Sequence, residues 1–168
     1  MKLPITRLVC FRIILDQENF ISGYEIAKRT PFKHQGIYRE LSKAKERGFI
    51  TFKIEPQDDK PDRKLYRVKL RDKMIEEMKC DLNLNNLNPM TISAFDVDMI
   101  LSCEHLVGSG VIYRFLTRFK SELMHMLKYE KHVTKSSVNA TLMLLEIEIE
   151  KRIKQAREVA AQSDNMMA

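Results

Sequence analysis

The chain has 168 residues, 44% of them hydrophobic and 31% charged, a balance that allows a real core and leaves room beyond one small module. A formal charge of +6 and a pI of about 9.2 suit an anionic partner, and the excess is confined to one half: residues 1–80 hold roughly 19 Lys and Arg against roughly 12 Asp and Glu, while the remainder is close to neutral. Three cysteines (Cys10, Cys80, Cys103), none in a CxxC, argue against a disulfide framework and for reduced thiols in the cytoplasm, and the short apolar start is interrupted by Arg7 and Arg12, which excludes a membrane span and a cleavable leader.

Residues 4–17 open on Pro4, well suited to a helix N-terminus, and carry Ile5, Leu8, Val9, Phe11, Ile13 and Leu15 as a wide apolar face. Ser22-Gly-Tyr-Glu25 is a capping box, and the helix it starts must be short, because Pro31 excludes the helical conformation at Thr30. Ile26 and Ala27 are expected to face inward, and Lys28 and Arg29 outward. A second helix is predicted from about Lys33 to Arg47. In it Ile37, Leu41 and Ala44 line one face, Gly48 follows in the left-handed position, and Lys33, His34, Gln35, Arg39, Ser42, Lys43 and Glu46 line the other. Phe49–Ile54 alternates as a strand, Leu65–Val68 is its partner, and the charged, proline-bearing run between them is a projecting wing. Met74, Ile75 and Met78 mark a closing helix over Arg71–Lys79.

The Asn-rich run over 81–90 reads as a linker, poor as helix and as strand. Beyond it three helices are predicted. Ile92, Phe95, Met99 and Leu106 mark the first, which Gly108 and Gly110 break. Ile112, Phe115, Leu116, Phe119, Leu123 and Met126 mark the second. The third has Ser136 or Ser137 as a cap, then Val138, Leu142, Leu145, Ile149, Ile153 and Ala156 as a near-heptad stripe suited to a dimer seam. The last residues, from Gln162 on, are expected to fray. The expected fold is therefore mainly α with a small β-wing: a winged helix-turn-helix over 1–80, the linker, and a helical dimerisation or partner-binding domain over 91–168.

Gly23-x-x-Ile26, Gly36-Ile37-Tyr38-x-x-Leu41, Gly48-Phe49-Ile50 and Arg63-Lys64-Leu65-Tyr66-Arg67-Val68, in that order, resemble the PadR family of bacterial winged-helix transcription regulators. The resemblance implies a DNA-binding head whose Gly36–Leu41 run lies on the recognition helix and whose Arg63–Val68 run is the second wing strand. The chain departs from the family pattern after that strand, where Lys69-Leu70-Arg71-Asp72 replaces a Thr-rich step, and the tail shows no family pattern. A phage or plasmid regulator fits as well as a chromosomal one.

Lys33, His34, Gln35 and Arg39 are the candidates for the groove, since Gln matches adenine N6/N7 and Arg or Lys matches guanine O6/N7. Lys28 and Arg29 are backbone contacts in the same docking, and Lys43 is a further DNA-binding candidate on the helix face. Tyr38 is either half-buried core or a phenol on a phosphate oxygen, which the family resemblance favours. Gly36 either admits the DNA backbone or serves packing. Lys60, Arg63 and Lys64 are wing candidates opposed by Asp58, Asp59 and Asp62. Met124 and Met126 either line an effector pocket or pack a core or dimer seam.

Enzymatic motifs are missing: no GxSxG, no P-loop, no GxGxxG. His105 with Cys103 and Glu104 falls short of a zinc site, so neither a metal nor a cofactor is expected. The reading is a homodimeric repressor that recognises a palindromic double-stranded operator, its effector and host unassigned. The alternative is a winged-helix protein that binds another protein, as an antirepressor, inhibitor or assembly adaptor.

Overall fold

The structure, a computed structural model, describes residues 3–58, 60–83, 88–130 and 135–166. Asp59 of the wing and residues 84–87 of the Asn-rich run lie outside the described residues. Among the described residues the protein is mainly helical with one small antiparallel sheet, and it divides into two compact units: Pro4–Asp81, and Leu82–Ala168 grouped with Met1–Leu3.

In the first unit α1 (Ile5–Leu15) is buried over most of its circumference, from Ile5 through Leu15, as expected of a helix that is apolar nearly all round. Strand β1 (Ile21–Ser22) runs directly into α2 (Gly23–Lys28). The capping box is formed: the Glu25 amide donates to Ser22 Oγ at 3.1 Å, and the Ser22 amide donates to Glu25 Oε2 at 3.0 Å. Thr30 Oγ1 donates to the Ala27 carbonyl and accepts from the Phe32 amide, which stitches the turn before Pro31 to its neighbours.

Helix α3 (His34–Glu46) buries Ile37, Leu41 and Ala44 almost completely and packs on α1 and α2. It ends in a Schellman motif: the Phe49 amide donates to the Ala44 carbonyl and the Gly48 amide to the Lys45 carbonyl, both at 2.9 Å, with Gly48 at φ 71°. That geometry turns Phe49 back into the core, where its ring meets Phe11 edge-on with centroids 6.1 Å apart.

Strands β2 (Ile50–Glu55) and β3 (Arg63–Val68) form the hairpin, with Ile50 opposite Val68 and Glu55 opposite Arg63. β1 adds to the outer edge of β3, giving the order β1-β3-β2. Alternation delivers Ile21, Ile50 and Tyr66 to the buried face. α1, α2, α3 and the two-stranded wing thus stand in the order and pairing of a winged helix-turn-helix. Helix α4 (Arg71–Leu82) buries Met74 and Met78, and Arg71 donates to the Leu15 carbonyl at 2.8 Å, closing the C-terminus of α1.

The second unit differs from the expectation in several places. α4 continues through Asp81 and Leu82, so the expected linker begins as helix. Asn88 is an N-cap, accepting from the Met90 amide ahead of a 3-10 turn at Pro89–Thr91. The first predicted tail helix is two: α5 (Ala94–Leu101) and α6 (Glu104–Val107). A fresh capping box, Ser93 with Asp96, resets the helical phase. Val97 and Ile100 are therefore buried, while Phe95 is 48% exposed. Only Gly108, at φ 90°, breaks the chain; Gly110 lies inside α7 (Ser109–Tyr129).

Helix α7 buries Ile112, Phe115, Leu116, Phe119 and Leu123, with Met126 half-buried and Met124 exposed. Helix α8 (Lys135–Met166) already includes Ser136 and Ser137, and its backbone runs on past Gln162, where the sequence predicts fraying. It packs along α7 and against α5. No helix among the described residues is long and apolar enough to cross a membrane.

Candidate nucleic-acid interface

The outward face of the first unit is set by how firmly α3 is clamped. Ile37 and Leu41 are 0% exposed and Ala44 is 1% exposed, so the rotation of the helix is fixed. Lys33 (its N-cap), His34, Gln35, Arg39 and Lys43 are then all exposed. At the other end Arg47, the C-cap, is held by Glu77 of α4 through paired contacts of 2.5 and 2.7 Å. Glu77 also faces Arg7 at 3.2 Å, and Arg7 donates to Asp81, with Nε at 2.8 Å. α1, α3 and α4 are thereby joined through two arginines and two carboxylates. The Arg47 hydrogen bond holds Glu77 below the usual carboxylate range, whereas burial pushes Asp81 up to about 6, outweighing the pull of Arg7.

Among the described residues, the side chains of Lys28, Lys33, Gln35, Lys60 and Lys64 make no hydrogen bond or ion pair. Arg39 and Lys43 are held loosely by Glu40, a buried carboxylate, at 3.6 and 3.2 Å. A helix face with unpaired cations and an unpaired amide at its N-terminal half is suited to phosphate oxygens and base edges.

Tyr38 is 44% exposed and lies over Gly23, where a Cβ would come within 2.5 Å of its ring. One ring edge therefore packs and the remainder meets solvent. Gly36 faces otherwise: a Cβ there would meet only Thr6 Cγ2 of α1, at 3.7 Å, an ordinary contact, so packing against α1 does not demand a glycine.

The wing is less basic than its sequence. Lys60 and Lys64 are exposed, but Arg63 lies in β3 and is engaged within the unit: it meets Glu25 at 2.9 Å, Ser22 Oγ at 3.0 Å and Glu55 at 3.8 Å. Two features have no counterpart in the sequence reading. Tyr24, 58% exposed, tilts against the His34 ring with centroids 5.7 Å apart. Phe20 lies beneath both Lys53 and Arg67, at 4.8 and 4.9 Å. The β-branched and aromatic run Phe20-Ile21 is the available signal for a third strand.

No protein-family model matches the chain, and no curated protein matches it. Two of the solved structures similar to the chain are the following. PadR of Bacillus subtilis, in complex with operator DNA, is 19% identical, with 92% of this chain and 96% of that one covered at a TM-score of 0.37. The protein smu.1604c of Streptococcus mutans UA159 is 18% identical, with 92% and 98% covered at a TM-score of 0.37. Likeness at this level carries no argument about function.

In the second unit, the stripe predicted as a dimer seam divides. Val138, Leu142 and Leu145 are buried within the protomer, on a helix that packs along α7, so they serve its own core. Ile149 and Ile153 are half-buried and Ala156 is exposed. The last two line an open groove of about 750 Å³ with Tyr113 and Val159. Met143 and Ile147, outside the predicted stripe, are 54% and 59% exposed. Arg152 is buried between Glu148 and Glu104. Among the described residues no cluster of His, Cys, Asp and Glu could hold a metal ion.

Proposed function

We propose that this chain is a sequence-specific double-stranded DNA-binding regulator that acts as a homodimeric repressor in the cytoplasm, by binding and not by catalysis. The observation that carries the reading is the clamped rotation of α3, which leaves Lys33, His34, Gln35 and Arg39 exposed along one face above a fully buried Ile37 and Leu41. In this reading α3 enters the major groove. Gln35 and Arg39 meet base edges, Lys28, Lys33 and Lys43 meet phosphates, Tyr38 offers its hydroxyl at the rim, and Lys60 and Lys64 reach the flanking backbone.

One recognition helix reads too few base pairs to locate an operator, so two heads on a palindrome with half-sites about 34–36 Å apart are required. The dimer contact is assigned to the end of the stripe that α8 leaves uncovered, Ile153 and Ala156, and not to Val138, Leu142 or Leu145. Binding to the DNA upstream of its own gene, followed by fluorescence anisotropy over a salt series, tests the reading. Changing Lys33, Gln35 and Arg39 together to Ala should abolish specific binding, and each lost phosphate contact should flatten the salt slope by about 0.9. A chain with no DNA affinity at low salt would overturn the proposal.

A second reading has one observation in its favour. Tyr24, Tyr38 and Ile54 are exposed on the same unit, and aromatic anchors of this kind also serve protein partners. It gains ground if the triple alanine variant keeps its biological function.

A further inference from the structure

Arg63 stands where a wing cation would be counted toward DNA, yet its guanidinium is the most heavily engaged group of the hairpin. It sits at the loop end of the hairpin, cross-strand from Glu55, and reaches over to the N-terminus of α2, where it meets Glu25 at 2.9 Å and Ser22 Oγ at 3.0 Å. Ser22 and Glu25 are the two halves of the capping box. One side chain therefore joins the wing hairpin to the start of the helix-turn-helix. Beside this junction lies a cleft of about 270 Å³ shared by Ser22, Gly23 and Tyr38 with Gln57, Pro61 and Lys64 of the wing. The wing loop and the exposed phenol of α3 are thus placed around a common space whose one ionic tie is Arg63 among the described residues.

We propose that Arg63 is a positioning residue: paired with Glu25, it latches the wing to α2 and sets where Lys60 and Lys64 stand relative to α3. The role in DNA contact rests on the reading given above; the latch itself does not. Set between Glu25 and Glu55, Arg63 offers a phosphate less than an unpaired wing cation does. The wing's contribution then comes from Lys60 and Lys64, and depends on the hairpin being held.

The sign of the Glu25→Gln effect separates the two roles. Gln serves in a capping box as Glu does, so the helix start survives while the ion pair is lost. A latch predicts that E25Q and R63Q both weaken binding to a mixed-sequence DNA duplex, that both flatten the salt slope by about one to two as the wing lysines lose their place, and that the double variant is no worse than either single one. Direct contact by Arg63 predicts the reverse for E25Q, a freed guanidinium with tighter binding and a steeper slope, and that result would overturn the proposal. A fall in melting temperature with an unchanged slope would also overturn it, since a merely structural group would behave so.

Hydrogen exchange on the DNA-free chain tests the latch independently: amides over Thr51–Glu55 and Arg63–Arg67 should exchange faster in R63Q, and unchanged protection rejects it. If the unmutated chain binds no duplex at all, the DNA reading falls, and with it the role in positioning lysines for DNA. The exchange measurement then still decides whether the latch exists.

Discussion

Gly36 and Gly23 stand on adjacent helices of the proposed interface, and replacing each with Ala makes opposite demands. At Gly36 a new Cβ meets only Thr6 Cγ2 at 3.7 Å, an ordinary contact, in a helix where Gly is less favourable than Ala by about 0.5–1 kcal/mol. Gly36→Ala should therefore stabilise the head by about that amount, roughly 2–8 °C in melting temperature for a unit of this size, and leave DNA affinity unchanged. At Gly23 the Cβ falls 2.5 Å from Tyr38 Cε1 and 3.2 Å from Leu41 Cδ1, against about 3.5–4.0 Å for a relaxed carbon pair. Leu41 is fully buried and can give little, whereas Tyr38, 44% exposed, can swing outward. The overpacking cost then lies near the low end, about 1 kcal/mol, partly offset by the helix gain. Its functional cost is larger, because the displaced phenol moves into the space the duplex would occupy and forgoes the hydroxyl contact proposed for it, a fall of about fivefold or more in affinity. Thermal denaturation and anisotropy titrations of the two variants check both halves. If Gly36→Ala loses affinity as Gly23→Ala does, the DNA backbone approaches α3 at Gly36, and the proposed docking is wrong.

Three other outcomes are open to measurement. Cys10 and Cys103 are 0% exposed and burial pushes the Cys10 thiol up to about 12, whereas Cys80 is exposed. A disulfide reagent should label one thiol promptly in the native chain and all three in urea. Asp81, raised by burial from 3.8 to about 6, binds its proton more tightly folded than unfolded. Its contribution to stability is thus fullest below its unfolded value and is lost as pH rises through about 6, so urea denaturation should show the wild-type chain losing ground to Asp81→Asn between about pH 4 and pH 7. In the second unit Leu142→Ala removes a buried side chain and should cost about 2–5 kcal/mol, while Ile153→Asp should leave the fold standing and shift sedimentation from dimer to monomer; a dimer that survives Ile153→Asp places the seam elsewhere.

The parts of the fold legible in the sequence are those whose cause is local. The Ser22–Glu25 capping box, the stop before Pro31, the Ile37-Leu41-Ala44 stripe and the left-handed turn at Gly48 each follow from a few neighbouring residues, and each is present. Strand β1 is hidden because two residues, Ile21 and Ser22, have no period of their own and become a strand only by pairing with Leu65 and Tyr66. The phase of α5 is lost for a local reason: a period counted from Ile92 starts ahead of the Ser93 cap, and the helix begins only after it. The inward turn of Val138, Leu142 and Leu145 has a different origin. A near-heptad stripe states that a helix has an apolar face and says nothing of whether α7 or a second chain covers it.

The same distinction governs the site. Exposure of Lys33, His34, Gln35 and Arg39 follows from burial of the opposite face of α3, so a periodicity argument could reach it. The state of Arg63 could not be reached that way, because its partner Glu25 lies far off in sequence and meets it only after β1 has paired with β3. Counting charges along the wing gives Lys60, Arg63 and Lys64 against Asp58, Asp59 and Asp62, a mixed field in which the arginine looks decisive. Once Arg63 is paired, the two described aspartates face the two lysines alone, and the wing supplies little net attraction at a distance. α2 and α3 are different: Lys28 and Lys33 have no described partner, and Glu40 is buried beneath Lys43 and Arg39 and does not stand out among them. In the proposed docking, long-range steering and the first phosphate contacts therefore fall to α2 and α3, and the wing acts at close range, where its placement matters more than its charge.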